Sequence, residues 1–176
     1  DTILISQPFP IKAQLITNNI KCYGGLDGSI SALVSGGTPF VGQPYSYAWS
    51  VGGLGFGTDT SAVDNLATTT NPYSVEITDA NGCTSSSTTF ISEPPPLSLL
   101  ANNIQSSYCL NIPSGGASVL ASGGYLDYDS YYTFMWETGD TTSYIEDKTS
   151  GYYDVVVKDD NNCTDTLEVE IPLDET

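Results

Sequence analysis

Tyr73-Ser74-Val75-Glu76-Ile77-Thr78-Asp79-Ala80-Asn81-Gly82-Cys83 alternates apolar and polar residues for six positions, then breaks into a turn that ends on a cysteine. Period-two alternation marks a strand with one face in a core and one in water. Asp, Asn and Gly are the residues a tight turn between antiparallel strands requires. The string returns as Tyr153-Asp154-Val155-Val156-Val157-Lys158-Asp159, followed by Asn162-Cys163. Working outward, Tyr45-Ser46-Tyr47-Ala48-Trp49 answers to Tyr132-Thr133-Phe134-Met135-Trp136, and Ser35-Gly36-Gly37 to Ser122-Gly123-Gly124. Trp49 and Trp136 lie 87 residues apart, as do Cys22 and Cys109, while Cys83 and Cys163 lie 80 apart. The chain is therefore a tandem duplication, and repetition at this scale means small modules in series.

Other short β-branched and aromatic runs recur every 8–14 residues or so between Gly, Asn, Asp and Pro. They predict strands near 12–18, 29–35, 45–51, 60–66, 73–79 and 85–91 in the first copy. In the second they fall near 98–104, 116–121, 131–137, 142–146, 152–159 and 165–171. Six or seven antiparallel strands per copy imply an all-β fold of two tandem immunoglobulin-like β-sandwiches. The expected cores centre on Trp49, Tyr47, Val75 and Ile77 in one copy and on Trp136, Val155 and Val157 in the other. The order Cys22, Trp49, Cys83 is similar to that of immunoglobulin domains, but Cys83 follows the turn instead of sitting within the strand. The likeness is one of architecture only.

The domain reading is a linker or tail of a preceding repeat over 1–10, a sandwich over 11–93, a Pro-rich linker over 94–97 and a second sandwich over 98–176. Ile5-Ser6-Gln7-Pro8 matches Ile91-Ser92-Glu93-Pro94, which makes the opening residues the end of another copy. Consecutive prolines at Pro94-Pro95-Pro96 favour polyproline II and make a semi-rigid spacer. Residues 51–60, rich in glycine, read as a mobile loop; no helix follows them, so they are no phosphate cradle.

Modules of about 85 residues bury only about 60–65% of their unfolded surface and need reinforcement. One cysteine pair per copy, Cys22 with Cys83 and Cys109 with Cys163, is the expected staple, each contributing about 3–4 kcal/mol by closing a loop of about 60 residues. Disulfides imply an oxidising, extracytoplasmic setting. The competing reading is four reduced, buried cysteines in a cytosolic protein. Zinc is disfavoured because the chain has no histidine and no C-x-x-C spacing.

The net charge is −17, with four Lys and no Arg. Such a surface repels phosphate backbones and anionic lipid heads, which argues against nucleic acid as a partner. No apolar run approaches the length of a membrane span, so no membrane insertion is expected. Without histidine a Ser-His-Asp triad cannot form, and the acids fall mostly at turns; no enzyme activity is expected.

Two binding chemistries stand against plain structural readings. Asp79 with Asn81, and Asp159 with Asp160, flank the second cysteine of each copy, and Asp27 lies near the first. Calcium takes six to eight hard oxygens, which clustered loops supply. Ordinary turn chemistry explains the same residues and is the favoured reading, so no cofactor is expected, with calcium as the candidate ion. In Tyr125-Leu126-Asp127-Tyr128-Asp129-Ser130-Tyr131-Tyr132, the aromatic faces of Tyr125, Tyr128 and Tyr131 beside Asp127 and Asp129 suit stacking and hydrogen bonding to sugar rings. The structural alternative has them packing over the sandwich edge.

The string Cys22-Tyr23-Gly24-Gly25-Leu26-Asp27-Gly28-Ser29-Ile30, then Ser35-Gly36-Gly37-Thr38-Pro39, Tyr45-Ser46-Tyr47-Ala48-Trp49, Tyr73 to Cys83, and Ile91-Ser92-Glu93-Pro94 resembles the SprB repeat. The second copy is degenerate: Leu110-Asn111-Ile112-Pro113-Ser114-Gly115 replaces the Gly-Gly-x-Asp-Gly stretch. The resemblance implies a structural spacer segment of a very large filamentous adhesin of gliding Bacteroidetes. Such adhesins are exported by type IX secretion to the cell surface, where they serve attachment and gliding motility. Its implied partners are neighbouring repeats and polysaccharide or surface glycans. The alternative function is a carbohydrate-binding module that uses the loop 125–132.

Overall fold

The computed structural model of the chain describes residues 7–55, 59–108 and 111–174. All regular structure among them is β, in thirteen strands joined by antiparallel pairing. Two compact units result. The first runs to Ile20 and resumes over Gly24–Glu93; the second comprises Lys21–Tyr23 and the chain from Pro94 onward.

The first unit packs the sheet β1(Lys12–Asn18), β2(Gly28–Ser35), β5(Ala62–Leu66) against the sheet β4(Leu54–Gly55), β3(Ser46–Val51), β6(Tyr73–Thr78), β7(Thr84–Thr89). In β6 the alternation read from sequence is the burial pattern: Tyr73, Val75 and Ile77 are buried while Glu76 is exposed. Trp49 is buried beside them, Tyr47 packs half-buried against the cluster, and Ile30, Val63 and Leu66 come from the facing sheet. Each such apolar side chain stabilises the fold by roughly 1.5–3 kcal/mol on leaving water. Trp49 keeps its one polar atom satisfied by donating Nε1–H to the Thr60 carbonyl at 2.9 Å.

The second unit repeats the plan with β8(Ser98–Gln105), β9(Gly115–Ser122), β11(Tyr144–Lys148) facing β10(Thr133–Trp136), β12(Gly151–Lys158), β13(Thr164–Ile171). Trp136, Val155, Val157, Ile145 and Val169 fill its separate core, and Trp136 Nε1–H donates to the Thr142 carbonyl at 2.9 Å. Both units carry a bulge at matching places, with Asn65 in β5 and Asp147 in β11 at positive φ where the register shifts.

Two expectations need correction. The glycine-rich stretch is not all loop: Gly52 and Gly53, both at positive φ, make a two-residue turn that pairs Leu54–Gly55 with Ser50–Val51. Residues 56–58 of that stretch lie outside the described residues.

The disulfides are the larger correction. Cys22 bonds to Cys163, 141 residues away, with 5.6 Å between their Cα atoms, and Cys83 is an exposed free thiol. The expected pairs Cys22–Cys83 and Cys109–Cys163 are both ruled out by this bond; Cys109 itself lies outside the described residues. The register explains the first. Lys12 pairs with Ser35 and Asn18 with Ser29, so the two ends of β1 mark opposite poles. Cys22 follows the Asn18 end. Cys83 sits at the Ser35 end, where Ala80 N–H donates to the Thr38 carbonyl at 2.8 Å. Eight-residue β2 separates them by roughly 25 Å, far beyond the roughly 7 Å Cα limit of a disulfide.

Candidate functional site

The densest polar constellation in each unit sits at the pole that holds the second cysteine. In the first unit Asp79 is buried. Its Oδ2 accepts the Thr38 N–H at 2.8 Å, and its Oδ1 accepts the N–H groups of Asn81 and Cys83, each at 2.9 Å. The Thr38 bond above all, with those of Cys83 and Asn81, holds this carboxyl below the usual carboxylate range against the opposing effect of burial. The turn closes on itself, with Asp79 N–H donating to the Cys83 carbonyl at 3.0 Å and Gly82 N–H to the Asp79 carbonyl at 3.0 Å.

A second layer ties this turn to the residues that lead into β1. Gly36 and Gly37 both adopt positive φ, and Gly37 N–H donates to the Phe9 carbonyl at 2.7 Å. A Cβ on Gly36 would lie 2.2 Å from the Pro10 carbonyl oxygen, and one on Gly37 3.0 Å from Asp79 Oδ2. Only glycine supplies both the backbone conformation and the space. Tyr45 completes the lock by donating its hydroxyl to the Gly36 carbonyl at 2.7 Å.

The second unit reproduces the main bonds of the lock. Asp159, buried, accepts from Tyr125 N–H and Cys163 N–H at 2.8 Å each. Gly124 N–H donates to the Pro95 carbonyl at 2.9 Å, and Tyr132 hydroxyl to the Gly123 carbonyl at 2.7 Å. A Cβ on Gly123 would fall 1.9 Å from the Pro96 carbonyl oxygen. Here the turn also carries the bridge: Cys163 is bonded to Cys22, and Asn161 Nδ2–H donates to the Lys21 carbonyl at 2.8 Å. The sequence displays the aspartate, the glycine pair and the tyrosine of this lock as shared motifs. Tyr45, Tyr132, Gly36 and Gly123 were nevertheless not singled out as site residues, because a repeated Ser-Gly-Gly shows no partner until Pro10 and Pro96 are seen above it.

The calcium candidates divide accordingly. The carboxylates of Asp79 and Asp159 are turned onto backbone N–H donors. Exposed Asp160 accepts the Asp127 N–H at 2.7 Å, and Asn81 donates to Thr38 Oγ1 at 2.9 Å. Asp27 stands just before β2, at the opposite pole from Asp79 and Asn81. Among the described residues no group of three or more Cys, Asp or Glu side chains is placed to hold a metal ion.

In the tyrosine-rich loop, Asp127 Oδ1 accepts the Tyr128 N–H at 2.8 Å, Ser130 N–H donates to the Asp127 carbonyl at 3.1 Å, and Asp129 takes positive φ. This turn leaves Tyr128 91% and Tyr131 82% exposed, with Tyr125 at 45%.

Paired sheets around a central tryptophan, duplicated along one chain, define the class: tandem immunoglobulin-like β-sandwiches. Within it, residues 15–54 match the model of the SprB repeat. No curated protein sequence matches the chain. Among solved structures, the three N-terminal domains of the bacteriophage RB49 highly immunogenic outer capsid protein align at TM-score 0.55 and 18% identity, covering 94% of this chain and 59% of that one. A C-terminal intimin fragment, solved with the intimin-binding domain of its translocated receptor, aligns at TM-score 0.46 and 18% identity, covering 96% and 66%. Fibronectin(III)-like modules of Clostridium thermocellum CbhA align at 0.38 and 13%, covering 93% and 94%. The chain thus spans less than two thirds of the first two structures, and at these identities the likeness is one of fold.

Proposed function

We propose that this chain is a structural spacer segment of a filamentous cell-surface adhesin that serves attachment and gliding motility, and that it catalyses no reaction. The observation that carries the reading is the match of residues 15–54 to the SprB repeat, a module of cell-surface adhesins. The lock supports it. Its acids are committed to holding backbone turns, and in both copies it fastens the incoming linker, Phe9-Pro10 or Pro95-Pro96, onto its own sandwich. A module that grips the segment leading into it is suited to serial repetition.

The test is replacement within the parent protein. Exchanging residues 11–176 for an unrelated pair of β-sandwiches of equal length should leave attachment and gliding speed unchanged. Loss of attachment with surface display intact would overturn the spacer reading. Such a loss would favour a second reading, carbohydrate binding through Tyr125, Tyr128 and Tyr131, which the exposure of Tyr128 and Tyr131 supports. A glycan array probed with the chain and with its Tyr128→Ala/Tyr131→Ala variant decides that alternative. For calcium, unfolding with and without chelator is the measure, because an ion bound only by the native state must raise the transition temperature.

A further inference from the structure

Cys83 is the exposed free thiol of the first unit, and its surroundings are those of a cysteine that is already bonded elsewhere in the molecule. Cys83 and Cys163 close matching turns. Each donates its backbone N–H to the Oδ1 of a buried aspartate, Asp79 at 2.9 Å or Asp159 at 2.8 Å. Each accepts that aspartate's N–H, at 3.0 and 3.1 Å. Each follows a residue at positive φ, Gly82 at 79° or Asn162 at 67°. At Cys163 the turn holds Cys22, the first cysteine of the repeat that precedes it in sequence. The staple in this chain is therefore passed from one repeat's first cysteine to the next repeat's second.

We propose that Cys83 is the acceptor of the same bond, and that its partner is the first-position cysteine, the equivalent of Cys22, of a repeat preceding residues 11–93. This rests on the repeat-array reading above and adds to it a covalent register between successive modules. Three further features agree. The linker entering the first unit is held as the one entering the second is, with Gly37 N–H on the Phe9 carbonyl where Gly124 N–H meets that of Pro95. Ile5-Ser6-Gln7-Pro8 repeats Ile91-Ser92-Glu93-Pro94, so the residues upstream of that linker have the sequence of a repeat's end. Asn81 matches Asn161, whose side-chain amide grips the carbonyl of Lys21 beside the bonded Cys22; Asn81 spends its amide on Thr38 Oγ1, a local bond it can exchange.

The chemistry is thiol–disulfide exchange with a low-molecular-weight disulfide as oxidant. The thiolate of one cysteine attacks the oxidant, releasing one thiol and leaving a mixed disulfide. The second cysteine's thiolate then displaces the other half, so two protein thiols become one disulfide and the oxidant becomes two thiols.

The test extends the full chain by one repeat, with residues 1–90 placed ahead of Ile5 and a protease site inserted at the new junction. After oxidation with a glutathione redox buffer and cleavage, denaturing gels without reductant should show the two pieces still joined, and reductant should part them. In the same chain with Cys83→Ser at the original position, cleavage alone should part them. Cutting the 94–97 linker instead should leave its pieces joined through Cys22–Cys163, which certifies folding and oxidation. Pieces that separate while that control holds, pieces that stay joined in the Cys83→Ser chain, or a Cys83-linked dimer of whole chains would each overturn the proposal. None of these outcomes bears on whether the segment serves adhesion, which the replacement experiment reads.

Discussion

The two poles of each sandwich have diverged to different degrees between the copies. At the lock pole the side chains recur one for one: Asp79 and Asp159, Gly36 and Gly123, Tyr45 and Tyr132, with the same donors and distances within a few tenths of an ångström. At the opposite pole the backbone bond persists, from Ile20 N–H to the Ser92 carbonyl and from Ser107 N–H to the Pro172 carbonyl. So does a tyrosine hydroxyl bond, from Tyr73 to the Ala67 carbonyl at 2.8 Å and from Tyr153 to the Thr149 carbonyl at 2.9 Å; the other polar contacts differ. There Glu93 clamps Gly24 N–H and Thr68 Oγ1 in the first unit, while the second buries Ser107 Oγ against the Ile112 carbonyl. The lesson is that sequence is retained where atoms have no room to move. The glycine–proline approach at the lock admits no Cβ, and neither do Gly28 and Gly115, the matched glycines of the other pole; the residues around those two satisfy their polar groups in more than one way.

The largest effect that could break this comparison is in the cores beneath it. Trp49→Ala and Trp136→Ala should each cost about 3–5 kcal/mol. Each should shift only its own unit's unfolding transition in calorimetry, and a single shared shift would mean the cores are not independent. Gly36→Ala and Gly123→Ala should follow at about 2–3 kcal/mol each, since strain at positive φ adds to the clash with the proline carbonyl. Gly82→Ala, at positive φ but facing open space, should cost only about 1 kcal/mol; equal losses at Gly36 and Gly82 would show that the lock does not crowd.

Asp79→Asn sharpens the electrostatic part. Because the folded state holds this carboxyl below its ordinary range, the stability it supplies is complete above that range and is lost as pH falls through it to the lowered value. The gap between the wild-type chain and Asp79→Asn in unfolding midpoint should therefore stay level at neutral pH and narrow below about pH 4. A gap independent of pH would assign the role to shape alone. The smallest effect is that of the hydroxyls: Tyr45→Phe and Tyr132→Phe should each cost about 0.5–1.5 kcal/mol, by the same amount in both units if the locks are equivalent.

The strands were legible because their alternation is local, and β6 and β12 fall within a residue of where the pattern of Tyr73–Ile77 and Tyr153–Val157 put them. The disulfide was misread because matching positions suggested pairing within a copy, whereas pairing depends on which pole each connection occupies. In an antiparallel sandwich successive connections alternate between poles. Counted over the six strands read from the sequence, Cys22 and Cys83 fall at the same end; only the two-residue β4, hidden in the glycine-rich stretch, shifts the count and puts them at opposite ends. The acids of the lock were legible as turn formers. The partners of the lock's glycines were not, since Phe9 and Pro10 contribute carbonyl oxygens that no side-chain pattern announces.

The long-range bond between Cys22 and Cys163 has a mechanical meaning. A chain pulled by its two ends would transmit tension through the sulfur–sulfur link, so that among the strands only β1 and β13, which lie outside the closed loop, bear the load. The 141-residue separation it spans holds roughly 460–510 Å of extensible length at about 3.3–3.6 Å per residue. Single-molecule stretching should reveal that length only after reduction, while the oxidised tether should yield little more than its two short ends.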